Sequence, residues 1–166
     1  MADLTYRPPQ ASDFEAMHAI VSDWSVVRQL GSFPWPAAPD FTRQRCRAYG
    51  GQGFVWAICR DDQMIGTVAV TRGELGYKLA PGEQGKGIMT RACSDAINHG
   101  FAQWDWPCLT ASVWWDNAAS AKVLRRCGFI HWQTRYHHSI ARRSPTLLHD
   151  YRLTRADWED LRSAAQ

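Results

Sequence analysis

From Phe54 to Leu79 the chain falls into three short runs rich in β-branched and aromatic residues, Phe54–Cys59, Met64–Val70 and Glu74–Leu79. Arg60-Asp61-Asp62-Gln63 separates the first two and Arg72-Gly73 the last two, so the pattern predicts an antiparallel three-strand meander. The period then changes. Met89, Cys93, Ala96 or Ile97, Phe101 and Trp104 recur at helical spacing, which predicts a helix from Gly87 to Trp104 that Asp105-Trp106-Pro107 stops. Leu109, Ala111, Val113 and Trp115 alternate with Thr110, Ser112 and Trp114 and predict another strand. Strand, crossover helix and strand make a βαβ unit inside an otherwise antiparallel sheet.

The flanking segments complete an α+β domain over residues 1–166. Leu4 to Arg7 reads as a short strand, and Ser12 with Glu15 as the capping box of a helix with Phe14, Met17, Ile20 or Val21, and Trp24 on its apolar face. Ser25 to Pro39 is irregular and aromatic, with Gly31, Pro34 and Pro36 among Phe33 and Trp35. Asp40 is placed to cap a second helix through Arg47. Asp116-Asn117 caps a short helix bearing Ala121, Leu124 and Cys127, and Gly128-Phe129 fits a left-handed cap with its hydrophobic clasp. Strands Phe129–His138 and Leu147–Leu153 are joined by the basic Ala141-Arg142-Arg143-Ser144-Pro145, and Thr154 with Asp157 caps a last helix.

Composition narrows the function classes. The chain is 45% hydrophobic and 21% charged, and no apolar run approaches the roughly 20 residues of a membrane span. Its opening, with Asp3 and then Pro8-Pro9, does not resemble a signal peptide, so cytoplasmic residence is expected. Five cysteines, odd in number and without a Cys-x-x-Cys pair, point to neither a disulfide framework nor a zinc site. A net charge of +3 suits an anionic small ligand and does not call for nucleic acid. The only lysines are Lys78, Lys86 and Lys122, all in or beside elements expected to face phosphates.

The chemistry concentrates between Glu74 and Thr90. Gly85 and Gly87 allow consecutive backbone N–H groups to converge where a helix begins, and the helix start adds unpaired donors and partial positive charge. That is an anion cradle, with Lys86 at its rim. A P-loop is a poor fit because Gly87 follows Gly85-Lys86 where Ser or Thr is required. A dinucleotide fingerprint fits as badly, since Thr90 holds the place of its third glycine.

Glu74-Leu-Gly-Tyr-Lys-Leu-Ala-Pro running into Gln84-Gly-Lys-Gly-Ile-Met-Thr resembles the acetyl-CoA pyrophosphate loop of the GNAT acetyltransferases, particularly their Rim-type branch, the acetyltransferases of ribosomal proteins. Asp116-Asn117-Ala118-Ala119-Ser120, Val123-Leu124 and Gly128-Phe129-Ile130 are similar to that branch's Asn-x-x-Ser helix and Gly-Phe exit, and Arg7-Pro8 with Ser12-Asp13-Phe14 agrees as well. The resemblance implies a mostly antiparallel twisted sheet and direct acyl transfer from acetyl-CoA to a primary amine, a protein N-terminus or a small molecule. It implies no metal, no membrane and no nucleic acid, and a monomer or homodimer.

It also assigns residues. The pantetheine arm would pair against Tyr77, Lys78, Leu79 and Ala80, and the pyrophosphate would sit on amides of Gln84, Gly85, Lys86, Gly87, Ile88, Met89 and Thr90. Ser120 maps to the proposed proton donor and Asn117 to a cofactor contact. Helix capping explains both residues equally simply. Two departures stand out: Leu124 replaces the tyrosine acid of many members, and Gly82 replaces the first side chain of the Gln/Arg-x-x-Gly-x-Gly/Ala pattern, a contact that Gln84 partly replaces. Glu74 is the first candidate for base, expected to face a splay in the sheet, with His137 and His138 as rivals. Trp24, Phe33, Trp35 and Arg142-Arg143 are candidates for lining the acceptor side. The competing class is a noncatalytic CoA-sensing or RNA-binding module on the same fold.

Overall fold

A computed structural model describes residues 4–164. Seven strands, β1 (Thr5–Arg7), β2 (Gly53–Arg60), β3 (Gln63–Thr71), β4 (Glu74–Leu79), β5 (Cys108–Trp114), β6 (Ile130–Ser139) and β7 (Ser144–Thr154), form one sheet in the order β1-β2-β3-β4-β5-β7-β6. The helices are α1 (Phe14–Val21), α2 (Trp24–Val27), α3 (Pro39–Arg45), α4 (Ile88–Gln103), α5 (Ala118–Arg126) and α6 (Arg155–Ala164). Every strand pair is antiparallel except β4–β5, which α4 joins as a parallel crossover. The α+β class and the βαβ unit expected from the pattern are therefore present.

The meander is tighter than the pattern suggested. Asp61 and Asp62 both adopt positive φ (49° and 63°), as do Arg72 and Gly73 (52° and 80°), so each connection is a two-residue turn whose twist matches the strands. The strands consequently run on to Arg60 and Gln63, into the polar stretch read as a loop.

The sheet separates two cores. On one face Val68, Val70, Leu75, Leu79, Leu109, Ala111 and Val113 pack against Met89, Ala92, Cys93, Ala96 and Phe101 of α4, with Leu124 of α5 and Trp158 of α6 closing the layer. On the other, Ala57, Cys59 and Met64 meet Met17 and Val21 of α1, Val27 of α2, and Phe33. Trp24 does not join the α1 stripe: it opens α2 and is 42% exposed.

Two helix starts differ from expectation. The backbone N–H of Gln10 donates to Asp13, not to the Ser12/Glu15 pair, because Arg7 draws the buried Asp13 carboxylate inward through bonds of 2.6 and 2.8 Å. A 3-10 turn, Ala11–Asp13, then precedes α1. Pro39 takes the first position of α3, where its missing N–H costs nothing, so Asp40 lies inside the helix and does not cap it. The helix also ends at Arg45, short of Arg47. By contrast Thr154 and Asp157 cap α6 reciprocally, and Phe129 N–H returns to Leu124 O at 3.0 Å past Gly128 at φ 90°.

Arg155 fastens the far end of α4. Its guanidinium donates to the carbonyls of Phe101, Trp104 and Trp106 at 3.0, 2.7 and 3.1 Å, satisfying acceptors that a helix end leaves open. Replacing it by Met removes three charge-assisted bonds and should lower unfolding stability by about 2–4 kcal/mol in urea titration. The same titration should show an unchanged m-value, since the fold itself is retained.

Candidate functional site

β4 and β5 meet at one register pair only, Glu74 with Thr110, reinforced by the Thr110 N–H to Gly73 O bond at 2.9 Å. Beyond it β4 stays paired to β3 through Leu79, while β5 stays paired to β7 through Trp114. The two strands diverge, leaving a gap between Gly76–Leu79 and Ser112–Trp114 whose edge backbone groups have no strand partner across it.

At the open end lies the glycine-rich bend. Gly85 and Gly87 sit at φ 76° and 77°, and an added Cβ on either would meet nothing within 4 Å. The six backbone N–H groups from Gly85 to Thr90 donate to no protein acceptor among the described residues; the first helical bond is Arg91 N–H to Gly87 O. Unpaired donors in series at the start of a 16-residue helix form an anion site, and an open one.

The side chains around this bend differ from expectation. Lys86 Nζ donates to Glu83 at 3.2 Å, and Arg60 holds the same carboxylate at 2.7 Å, so the rim lysine is tethered to an acid. Hydrogen bonds from Arg60 and then Lys86 keep that carboxyl below its ordinary value. Gln84 Nε2 donates to Leu79 O at 3.2 Å, bracing the strand end with the amide that was expected to reach a ligand. Lys78 projects from the face opposite α4, because strand alternation gives Tyr77 and Leu79 to the α4 side.

Tyr77 spans the gap. Its hydroxyl lies 2.7 Å from Ser120 Oγ and 3.2 Å from Ser120 O, on α5. Burial pushes the phenol far above its ordinary value, so it stays protonated and available to donate. Sequence reading placed Tyr77 only as backbone and missed this pairing; period-two alternation, which turns Tyr77 to the helix side, was the available signal. Asn117 Oδ1 accepts from Ser120 N–H at 3.1 Å, so Asn117 caps α5.

Glu74 stands at the closed end of the divergence, exposed, on the face opposite α4. That corrects the expectation that it faces the opening: the strands separate downstream of it. Arg135 lies near enough to feel its charge, although Arg135 is bound chiefly to Asp150 at 2.6 Å. Burial drives the Asp150 carboxyl upward, but hydrogen bonds from Arg135, Ser112 and Gln133 outweigh it and hold it below the usual range. Both His137 and His138 are exposed; His137 stacks on Trp114 at 6.3 Å, and His138 projects from the α4 face.

The arginines of the β6–β7 turn are not free to meet a ligand. Arg142 donates twice to Asp116 (2.7 and 2.9 Å), to Arg28 O at 3.0 Å and to Gln29 at 3.0 Å, and Arg143 donates to Trp35 O at 2.9 Å. They pin α2, the aromatic loop and the approach to α5 to one another. No sequence pattern linked Arg142 to Asp116, 26 positions away.

A family model described as the acetyltransferase (GNAT) domain matches residues 3–130. The chain belongs to that family. An uncharacterized N-acetyltransferase, YoaA, of Bacillus subtilis (strain 168) is 30% identical over 87 residues, 47% of this chain and 49% of that protein. The chain spans about half the length of the curated relatives it matches. Among solved structures, RimL, a ribosomal L7/L12 alpha-N-protein acetyltransferase in complex with coenzyme A, superposes with a TM-score of 0.76 at 19% identity, covering 93% of this chain and 95% of its own. Spermidine N-acetyltransferase from Vibrio cholerae, in complex with CoA and spermine, gives 0.76 at 14% identity over 96% and 99%. At these identities the likeness is one of fold, and it includes the namesake of the Rim-type branch.

Two measurements probe the frame. Hydrogen bonds from Arg142 first of all hold the Asp116 carboxyl below its ordinary value, so this pair stabilises the fold above about pH 4 and ceases to do so as pH falls through the depressed value. Asp116→Asn should cost about 1–3 kcal/mol at pH 7, with the gap to wild type closing in acid denaturation curves. In the bend, Gly85→Val forces a β-branched residue to positive φ and should weaken calorimetric CoA affinity by about tenfold or more while the circular dichroism spectrum is kept.

Proposed function

We propose that the protein is an acetyl-CoA-dependent N-acetyltransferase that passes an acetyl group directly to a primary amine, of a protein N-terminus or of a small molecule. The observation that carries this reading is the alignment of three features along β4: unpaired amides at Gly85–Thr90, a strand edge freed by divergence from β5, and the Tyr77–Ser120 pair across the gap. Membership of the acetyltransferase family and relatives named as N-acetyltransferases support it.

The residues fit the cofactor: an open cradle of N–H donors suits a pyrophosphate, and the edge of Tyr77, Lys78, Leu79 and Ala80 suits an extended amide-bearing arm. Acetyl-CoA supplies an activated thioester there. Backbone N–H groups on the freed edge of β4 are the natural donors for negative charge developing on the carbonyl oxygen. Ser120 gives its proton to the departing sulfur, with the protonated Tyr77 donating to Ser120 Oγ and lowering the cost of that transfer. Glu74 takes the proton of the amine, through water given its place at the closed end. Attack is direct in this reading; burial raises the Cys46, Cys59, Cys93 and Cys127 thiols, the last to about 11, and disfavours them as nucleophiles.

Thiol release from acetyl-CoA across amines and N-terminal peptides tests this. Ser120→Ala should lower kcat by roughly a hundredfold and Tyr77→Phe by less, while Glu74→Gln should flatten the basic rise of the pH–rate profile. Absence of turnover on every acceptor, with tight and salt-sensitive RNA binding, would replace the enzyme by a binding module.

A further inference from the structure

The mechanism above uses the backbone of Lys78 but not its side chain, and that side chain is unusual. Its Nζ donates to Thr67 Oγ1 at 2.9 Å and lies 4.6 Å from the centre of the Phe33 ring. Thr67 and Phe33 are both buried. None of the ion pairs among the described residues involves Lys78. An ammonium has three donors, so two are left without an acceptor among the described residues.

The charges around it are of the wrong sign for a structural role. Arg45, at the end of α3, stacks over Phe41 and reaches Phe33 as well, at 4.8 and 5.9 Å. Cys46, the next residue, is a buried thiol raised above its ordinary value and therefore neutral. Burial first, and then Arg45, push the Lys78 ammonium down to about 8, with Cys46 acting the other way. A desolvated cation with spare donors and a cationic neighbour is a site that an anion stabilises.

The strand surface upstream of it is open. Gly76, two residues earlier on the same face of β4, is exposed, and an added Cβ would meet nothing within 4 Å. The exposed Ser112 faces the same way on the far bank of the gap, by register with Thr110 and Glu74. Along this face Glu74, Gly76 and Lys78 thus run from an acid, over a position without a side chain, to a cation. The acid and the cation are about 13 Å apart at Cα by strand geometry.

We propose that Lys78 binds a carboxylate on the amine acceptor, so that the substrate class is an amine bearing a nearby acid group. A polyamine, which brings only positive charge, is disfavoured by the same residue. The carboxylate comes either from a free amino acid or from an acidic side chain close to a peptide N-terminus. The inference rests on the acetyltransferase reading for its orientation of the acceptor toward β4.

Matched acceptors test it. Alanine against alaninamide, and a peptide beginning Ser-Asp against one beginning Ser-Asn, are compared by thiol release at pH 7 after correction for each amine's free-base fraction. At least one acid member should exceed its neutral partner roughly tenfold or more in kcat/KM, and Lys78→Met should bring that ratio near one while Lys78→Arg keeps part of it. Which pair responds identifies the source. In parallel, NMR of protein with 13Cε-labelled lysine, where only three lysines contribute, follows the Lys78 titration. Its midpoint should rise on adding N-acetylalanine or the N-acetylated Ser-Asp peptide. Flat ratios in wild type, a preference that survives in Lys78→Met, or an unmoved midpoint with both products would overturn the assignment. Turnover without acid preference leaves the acetyltransferase reading standing, whereas loss of turnover on all acceptors removes that reading and leaves the NMR titration to decide on Lys78.

Discussion

Everything distinctive about this molecule follows from β4 and β5 being held together at one end only. Each strand is committed to a different neighbour, β4 to β3 and β5 to β7, and a single register pair at Glu74 and Thr110 joins the halves. A twisted sheet normally closes such a gap, because unpaired strand edges away from water are costly. Here the strands part after that single pair, and the Arg142–Asp116 pair fixes the turn after β5 to the end of α2 and to the β6–β7 hairpin. The opening is therefore a property of the frame, and its edge is available to a ligand.

Strand alternation divides the labour on either side of that opening. Tyr77 faces α4 and α5 and reaches Ser120. Glu74, Gly76 and Lys78 face the opposite side, toward the α1–α3 layer. Three consecutive positions, Tyr77, Lys78 and Leu79, thus reach α5, the α1–α3 layer and the core respectively.

Several arginines neutralise buried or half-buried acids within the fold. Arg7, Arg60, Arg135 and Arg142 each hold a carboxylate, and the first and the last two also organise neighbouring backbone or side chains. A modest net charge of +3 conceals this pairing. What lacks an acidic or protein partner among the described residues and still lies at the opening is the run of amides from Gly85 to Thr90 and the ammonium of Lys78, which donates only to Thr67.

The sequence by itself determined the order and kind of the main elements, the anion bend and the family. Periodicity, turn residues and the Gly85-Lys86-Gly87 run are local, and local physics is enough to read them. It misread the termini of α1 and α3, where Arg7 and Pro39 shifted the start and α3 stopped short of Arg47. Only the tertiary structure decided that Glu74 lies at the closed end, that Tyr77 meets Ser120 across 43 positions, that Arg142 serves Asp116 and that Lys78 makes no ion pair among the described residues. Those facts depend on which strands pair and where they part, and pairing joins residues far apart in the chain, beyond the reach of any pattern of neighbours.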